Sequence, residues 1–184
     1  NQLSETIDLA KEICEDAGCE TFQSGLGRED RNRIFEARHE LGEMIVRNHP
    51  GDRIRIMDMA VPIAAYPEMI AESRLALTAS GLTGYIFSHA GDGNIHVNIM
   101  VNKKLAGDPL KAEGAIREVF KAALELGGTM SGEHGVGIAK APYIPLEITP
   151  AAADYMKAIK RTLDPNNILN PGKIFFDEEE AALE

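Results

Sequence analysis

The sequence predicts an α+β domain, an antiparallel sheet with helices packed on one of its faces. Three observations carry this. Helix-length stretches are bracketed by Gly and Pro. Short β-like runs lie between them. One of these runs, Gly84 to Val101, alternates apolar and polar residues on both sides of an Asp-Gly pair.

Taken in order, Ile7, Ala10, Cys14 and Ala17 recur at helical spacing and Gly18 ends that helix. A second helix is expected from about Arg28 to Arg47, with Ile34, Leu41 and Ile45 on one face. Pro62 and Pro67 then punctuate the chain. Pro67 is placed as an N1 residue of a third helix that runs to Ser80 and Gly81. Asp108-Pro109 opens a fourth, stopped by Gly127-Gly128. Thr149-Pro150 opens the last long one, with Met156, Ile159 and Leu163 expected on its inner face. Strand-like runs are Arg53 to Met57, Gly84 to Ser88, Ile95 to Val101 and Thr129 to Ser131. The acidic run Asp177-Glu178-Glu179-Glu180 reads as a frayed tail.

Composition narrows the function classes. The chain has 184 residues, of which 44% are hydrophobic and 26% charged, as in ordinary globular domains. The net charge of −10 disfavours nucleic acid and anionic membrane surfaces. No apolar run approaches the roughly 20 residues of a membrane span. Cys14 and Cys19 are expected to be reduced thiols, which suggests a cytoplasmic location, with peripheral membrane association left open. The chain begins at Asn1 without a Met or a signal layout, which reads as a processed or cut fragment.

The richest segment is the run from Gly84 to Val101. Asp92-Gly93 is a two-residue hairpin turn signal. That turn would pair Gly91 with Asn94, Ala90 with Ile95 and His89 with His96, and a longer loop is expected to keep the last pair. Opposed residues share a face, so two imidazoles would meet. One face then carries Ile86, Ala90, Ile95, Val97, Ile99 and Val101 and is the expected core face. The other carries Tyr85, Phe87, His89, His96, Asn98 and Met100. The histidines also read as part-exposed strand residues without a ligand.

A second constellation, Ser131-Gly132-Glu133-His134-Gly135-Val136-Gly137, sets a carboxylate and an imidazole among glycines. Two His and one carboxylate suit a catalytic zinc with an open position, or non-haem iron. His134 is a candidate general base, since imidazole titrates near neutral pH. The same segment also reads as a plain loop. Arg38 falls in the apolar stripe of Ile34, Leu41 and Ile45. An Arg there either snorkels to water or needs an anion, an internal carboxylate or that of a substrate.

His89-Ala90-Gly91-Asp92-Gly93-Asn94-Ile95-His96, Ser131 through Gly137, and Asp164-Pro165 through Leu169-Asn170-Pro171-Gly172-Lys173 together resemble the C-terminal part of FAD-linked oxidases. Asp58-Met59-Ala60-Val61-Pro62 fits a fourth motif of that family. Its members include glycolate oxidase flavin subunits, D-lactate dehydrogenases and D-2-hydroxyglutarate dehydrogenases. The resemblance implies a ferredoxin-like cap domain over residues 1–145 that bears a metal and substrate site. Residues 146–184 would be a C-terminal helix and tail that pack toward an FAD domain.

The resemblance further implies a divalent metal on His89, His96 and Glu133, with zinc the first choice and manganese or iron the alternatives. It implies substrate contacts from Asn98 and His134, a carboxylate clamp from Arg38, and Asn170 toward the flavin. The implied reaction is oxidation of a D-2-hydroxy acid to the 2-oxo acid. Its implied partners are an N-terminal FAD-binding domain or subunit and the small hydroxy acid, and a homo-oligomer is possible. The 2-hydroxyglutarate branch has Thr and Lys where this chain has Gly42 and Ile56, which argues for a substrate without a second carboxylate. No glycine-rich pyrophosphate loop is present, so the chain by itself is expected not to turn over. Two competing readings are a stand-alone enzyme using the same 2-His-1-carboxylate metal set, and a non-catalytic docking domain.

Overall fold

The computed structural model describes residues 2–175, the side chains of Ala37, Arg38 and His39 excepted. The acidic run at 177–180 lies outside the described residues. The chain divides into two compact units, Asn1–Pro50 and Gly51–Glu184. The expected division at 145/146 falls inside the second of these.

The first unit holds α1 (Gln2–Asp16) and α2 (Gly27–Asn48). Gly18 follows α1 in the left-handed conformation, as its stop signal predicts. On α2, Ile45 is buried while Ile34 is exposed, so the expected apolar stripe is only partly covered. Cys14 and Cys19 are free thiols.

The second unit runs β1 (Arg53–Ala60), α3 (Tyr66–Ser80), β2 (Gly84–His89), β3 (Asn94–Val101) and α4 (Asp108–Glu125), then α5 (Ile144–Glu147) and α6 (Pro150–Leu163). The strands form an antiparallel sheet of order β1-β3-β2. Contrary to expectation, Thr129–Ser131 does not form a strand. It makes single bridges, Thr129 to Ala60 and Ser131 to Asp58, on the outer edge of β1. The βαββα order closed by that bridging segment is a ferredoxin-like split βαβ whose last strand is reduced to two contacts.

Both α3 and α4 pack on one sheet face. The buried residues of α4, namely Ala112, Ala115, Ile116, Val119, Phe120 and Ala123, recur at i, i+3 and i+4. They meet Met57 and Met59 of β1, Ile95, Val97, Ile99 and Val101 of β3, and Met69 and Leu77 of α3. Burying these side chains, at roughly 1.5–3 kcal/mol for each large one, is the main force holding the sheet to its helices. The opposite face of the sheet, which also carries residues of β3 that are fully buried, is left to hold the polar groups described next.

Two further expectations need correction. The hairpin register is displaced by two residues. His89 pairs with Asn94, and Phe87 pairs with His96. The reason is the connection: Ala90–Asp92 forms a 3-10 turn that Gly93 closes at φ 71°, so Ala90 belongs to the loop and not to the strand. A side chain at Gly93 would strike the Val61 carbonyl. Because the displacement is even, each strand residue keeps the face assigned to it.

The other correction concerns α6. Thr149 caps it as expected, its Oγ1 accepting from the Ala152 amide. Met156, Ile159 and Leu163 are nevertheless exposed, Leu163 at 77%. No described residue of α6 is buried.

Candidate metal centre

The polar face of the sheet is built by cross-strand pairing. Asp58 of β1 pairs with His96 of β3, and His96 pairs in turn with Phe87 of β2. Asn94 and Asn98 flank His96 on the same face, and all three are buried. His89 ends β2 on that face. The turn Ser131–His134 leaves the outer edge of β1, bridged to Asp58, and brings Glu133 and His134 over the sheet. Gly132 permits this approach. A Cβ there would come within 2.8 Å of Asp58 Oδ1 and closer still to Asn94 Nδ2.

The result is a convergence of imidazoles on one oxygen. Glu133 Oε1 lies 3.1 Å from His96 Nε2, 3.6 Å from His89 Nε2 and 3.7 Å from His134 Nε2. The His96 ring stacks on that of His134 at 5.1 Å and meets His89 edge-on at 5.6 Å. Ligands held 2.0–2.1 Å from a tetrahedral ion lie roughly 3.4 Å apart, which is the range in which Glu133 Oε1 lies from the three imidazole nitrogens. His96 has its ring sealed from solvent, whereas His89, Glu133 and His134 are half-exposed. The candidate site therefore has a buried base and an open mouth.

Asp58 is within reach of the same cluster, its carboxylate lying within 4.8 Å of ligand atoms of His96, Glu133 and His134. Its oxygens are already committed. Oδ1 accepts from Asn94 Nδ2 at 2.8 Å. Oδ2 accepts from the amides of Glu133 at 3.0 Å and His134 at 2.9 Å and from Lys140 Nζ at 3.1 Å. Lys140 Nζ also donates to the Asp58 carbonyl and to Ser131 Oγ. Burial raises the Asp58 carboxyl, but the bonds from the His134 amide, Asn94 and Lys140 outweigh it and hold the pKa at about 2. Burial lowers the His96 imidazole, against the opposing pull of the Asp58 charge.

The structure brings together four of the expected site residues, His89, His96, Glu133 and His134, and sets Asn98 on the same face two positions from His96. The Arg38 side chain lies outside the described residues. Asn170 lies elsewhere, in the turn after α6, where it adopts φ 50° and borders a cavity of about 260 Å³ with Lys157, Arg161 and Lys173. Sequence reasoning missed the roles of Asp58, Asn94 and Lys140. Asp58 had a signal, since it opens the motif Asp58-Met59-Ala60-Val61-Pro62, but Lys140 had none.

The family described as FAD linked oxidases, C-terminal domain, matches residues 1–174, and the chain belongs to that family. It is 33% identical over 172 residues to "Probable D-lactate dehydrogenase, mitochondrial" of Danio rerio, covering 94% of this chain and 35% of that one. It is 34% identical over 169 residues to "Glycolate oxidase subunit GlcD" of Bacillus subtilis, covering 92% and 36%. A stretch of 91 residues is 43% identical to "D-2-hydroxyglutarate dehydrogenase" of Stutzerimonas stutzeri, covering 48% and 20%. The chain thus spans about a third of the length of the first two relatives. Among solved structures, "4-ethylphenol oxidase from Gulosibacter chungangensis" shares the fold, with a TM-score of 0.56 at 18% identity, over 95% of this chain and 38% of that one. None of the described helices is long and apolar enough to cross a membrane.

Proposed function

We propose that the chain is the substrate- and metal-binding part of an FAD-dependent dehydrogenase that oxidises a small D-2-hydroxy acid, of the glycolate or D-lactate type, to the 2-oxo acid. The observation that supports this most is the convergence of His89, His96 and His134 Nε2 atoms on Glu133 Oε1.

In this reading His89, His96 and Glu133 hold a divalent ion, zinc first. Such an ion supplies Lewis acidity, which lowers the pKa of a hydroxyl bound to it. FAD supplies the hydride acceptor. The chain's own residues do the rest. His134, half-exposed beside the cluster, accepts the hydroxyl proton at Nε2 as the C–H bond is broken. Asn98, buried on the same face, has no hydrogen-bond partner for its side-chain oxygen among the described residues, and its amide orients the substrate. Arg38 is the candidate clamp for the substrate carboxylate on the strength of its sequence motif alone. Ile56, half-exposed where the hydroxyglutarate branch has Lys, favours a substrate with one carboxylate.

The cavity beside Asn170, about 260 Å³, is where the flavin would approach, and FAD would need further surface to hold it. A separate FAD-binding domain supplies it in this reading. The exposed apolar residues of α6, Tyr155, Ile159 and Leu163, are the surface on which that domain would dock. A cytoplasmic location belongs to the same proposal.

Two measurements test it. Metal content after dialysis should be close to one zinc, manganese or iron per chain, and it should vanish in the His89→Ala, His96→Ala double variant. The chain without its flavin domain should not turn over glycolate or D-lactate. Flavin-independent turnover would instead mark a stand-alone metalloenzyme and overturn the reading.

A further inference from the structure

We propose that Asp58 is a positioning residue of this centre: its carboxylate fixes His96 as the Nδ1–H tautomer, leaving Nε2 bare toward Glu133, and pins the turn that delivers Glu133 and His134. The inference rests on the metal-site reading above and adds to it a residue that acts through His96 and the Glu133–His134 turn.

Two independent sets of contacts carry it. The first is on Oδ2. The consecutive amides of Glu133 and His134 both donate to that one oxygen, at 3.0 and 2.9 Å, so the direction in which these two side chains leave the turn is set by Asp58. Lys140 Nζ, buried, holds the same oxygen from the other side. The second set is on Oδ1, which faces His96 Nδ1 at 3.6 Å across the β1–β3 pair. That nitrogen is buried and has no hydrogen-bond partner among the described residues. A ring nitrogen facing a carboxylate is the one that carries the proton, which leaves the other ring nitrogen as the lone-pair donor.

The donor inventory makes an unusual prediction for Asp58→Asn. Every neighbour of the carboxylate is a donor: Asn94 Nδ2 on Oδ1, and two amides and Lys140 on Oδ2. An amide NH2 in place of either oxygen must therefore face donors. It meets fewest on the Oδ1 side, next to His96. There it would donate to Nδ1, and the imidazole would shift its own proton to Nε2, the nitrogen a metal needs.

The experiment is a long-range proton–nitrogen NMR spectrum of the histidine-labelled, metal-free chain, taken above the imidazole titration range, with calorimetric titration of zinc alone. His96 of the wild type is expected as Nδ1–H. In Asp58→Asn it is expected as Nε2–H, with zinc affinity lower by about 10–100-fold. A wild-type His96 in the Nε2–H form would overturn the proposal. So would an Asp58→Asn variant that keeps both tautomer and zinc affinity. If Asp58→Asn does not fold, the wild-type tautomer decides alone. If the wild type binds no zinc, the metal reading fails, and the tautomer still judges what Asp58 does to His96.

Discussion

Lys140 Nζ sits 3.1 Å from Asp58 Oδ2 with both side chains sealed from solvent, the lysine at 6% and the aspartate at 0% exposure. The pair ties the loop after Val136 to the edge strand beneath the candidate metal centre. It is completed by bonds from Lys140 to the Asp58 carbonyl and Ser131 Oγ, so neither charge is left bare. An ion pair of this kind adds little net stability over an apolar substitute but is costly to break from one side. Lys140→Met is expected to destabilise the fold by about 3–5 kcal/mol. Urea unfolding would read this, and a loss below about 1 kcal/mol would show that the Asp58 charge is satisfied without the lysine.

Acid should weaken the metal-free protein in two stages. His96 has a folded pKa below its ordinary 6.5, chiefly through burial, so the unfolded chain binds that proton more readily. Stability therefore falls as pH drops below about 6.5. Asp58 is depressed from 3.8 to about 2. Its contribution, on the order of 2 kcal/mol, is complete above the unfolded value and is lost as pH falls through the folded one. Unfolding free energy measured against pH in the presence of a chelator checks both signs. A stability that rose on acidification would contradict them.

The two strand histidines should separate binding from stability. His96 is sealed, with 4% of its side chain exposed, and His89 is open at 39%. Both His89→Ala and His96→Ala are expected to lose bound zinc. Only His96→Ala should also lower the melting temperature, since it empties a packed position under Phe87 and His134. Equal melting temperatures for the two variants would be the contrary result.

Two glycines provide a matched contrast. Gly132→Ala forces a methyl against Asp58 and Asn94 and is expected to cost about 1–3 kcal/mol and to release the metal. Gly114, exposed on α4, has open space where a Cβ would sit, and Gly114→Ala should stabilise by about 0.5–1 kcal/mol. Thermal melts and zinc content of both variants check the pair.

Much of this centre is legible in residue patterning alone. Alternation places His89, His96 and Asn98 on one face and Ile95, Val97 and Ile99 on the other, and the pairing observed agrees. The turn signal at Asp92-Gly93 misjudges the register, because the chain closes the hairpin with a 3-10 turn that begins two residues earlier. A displacement of two preserves the side-chain parity of a strand, which is why the faces survive the error. The α6 stripe reads correctly as apolar and wrongly as inward. Periodicity reports that a face is apolar but not what covers it.

The sequence by itself determined which residues could carry the chemistry, because periodicity and glycine placement act over a few neighbouring positions. Only the tertiary structure decided that Asp58, His96, Glu133 and Lys140 meet. Their pairing crosses from β1 to β3 and from the edge of β1 to a distant loop, and no turn sets its register. It is set by burial of the Met57, Met59, Ile95 and Val97 face against α3 and α4, which aligns β1 with β3 and so presses Asp58 against His96 on the reverse side.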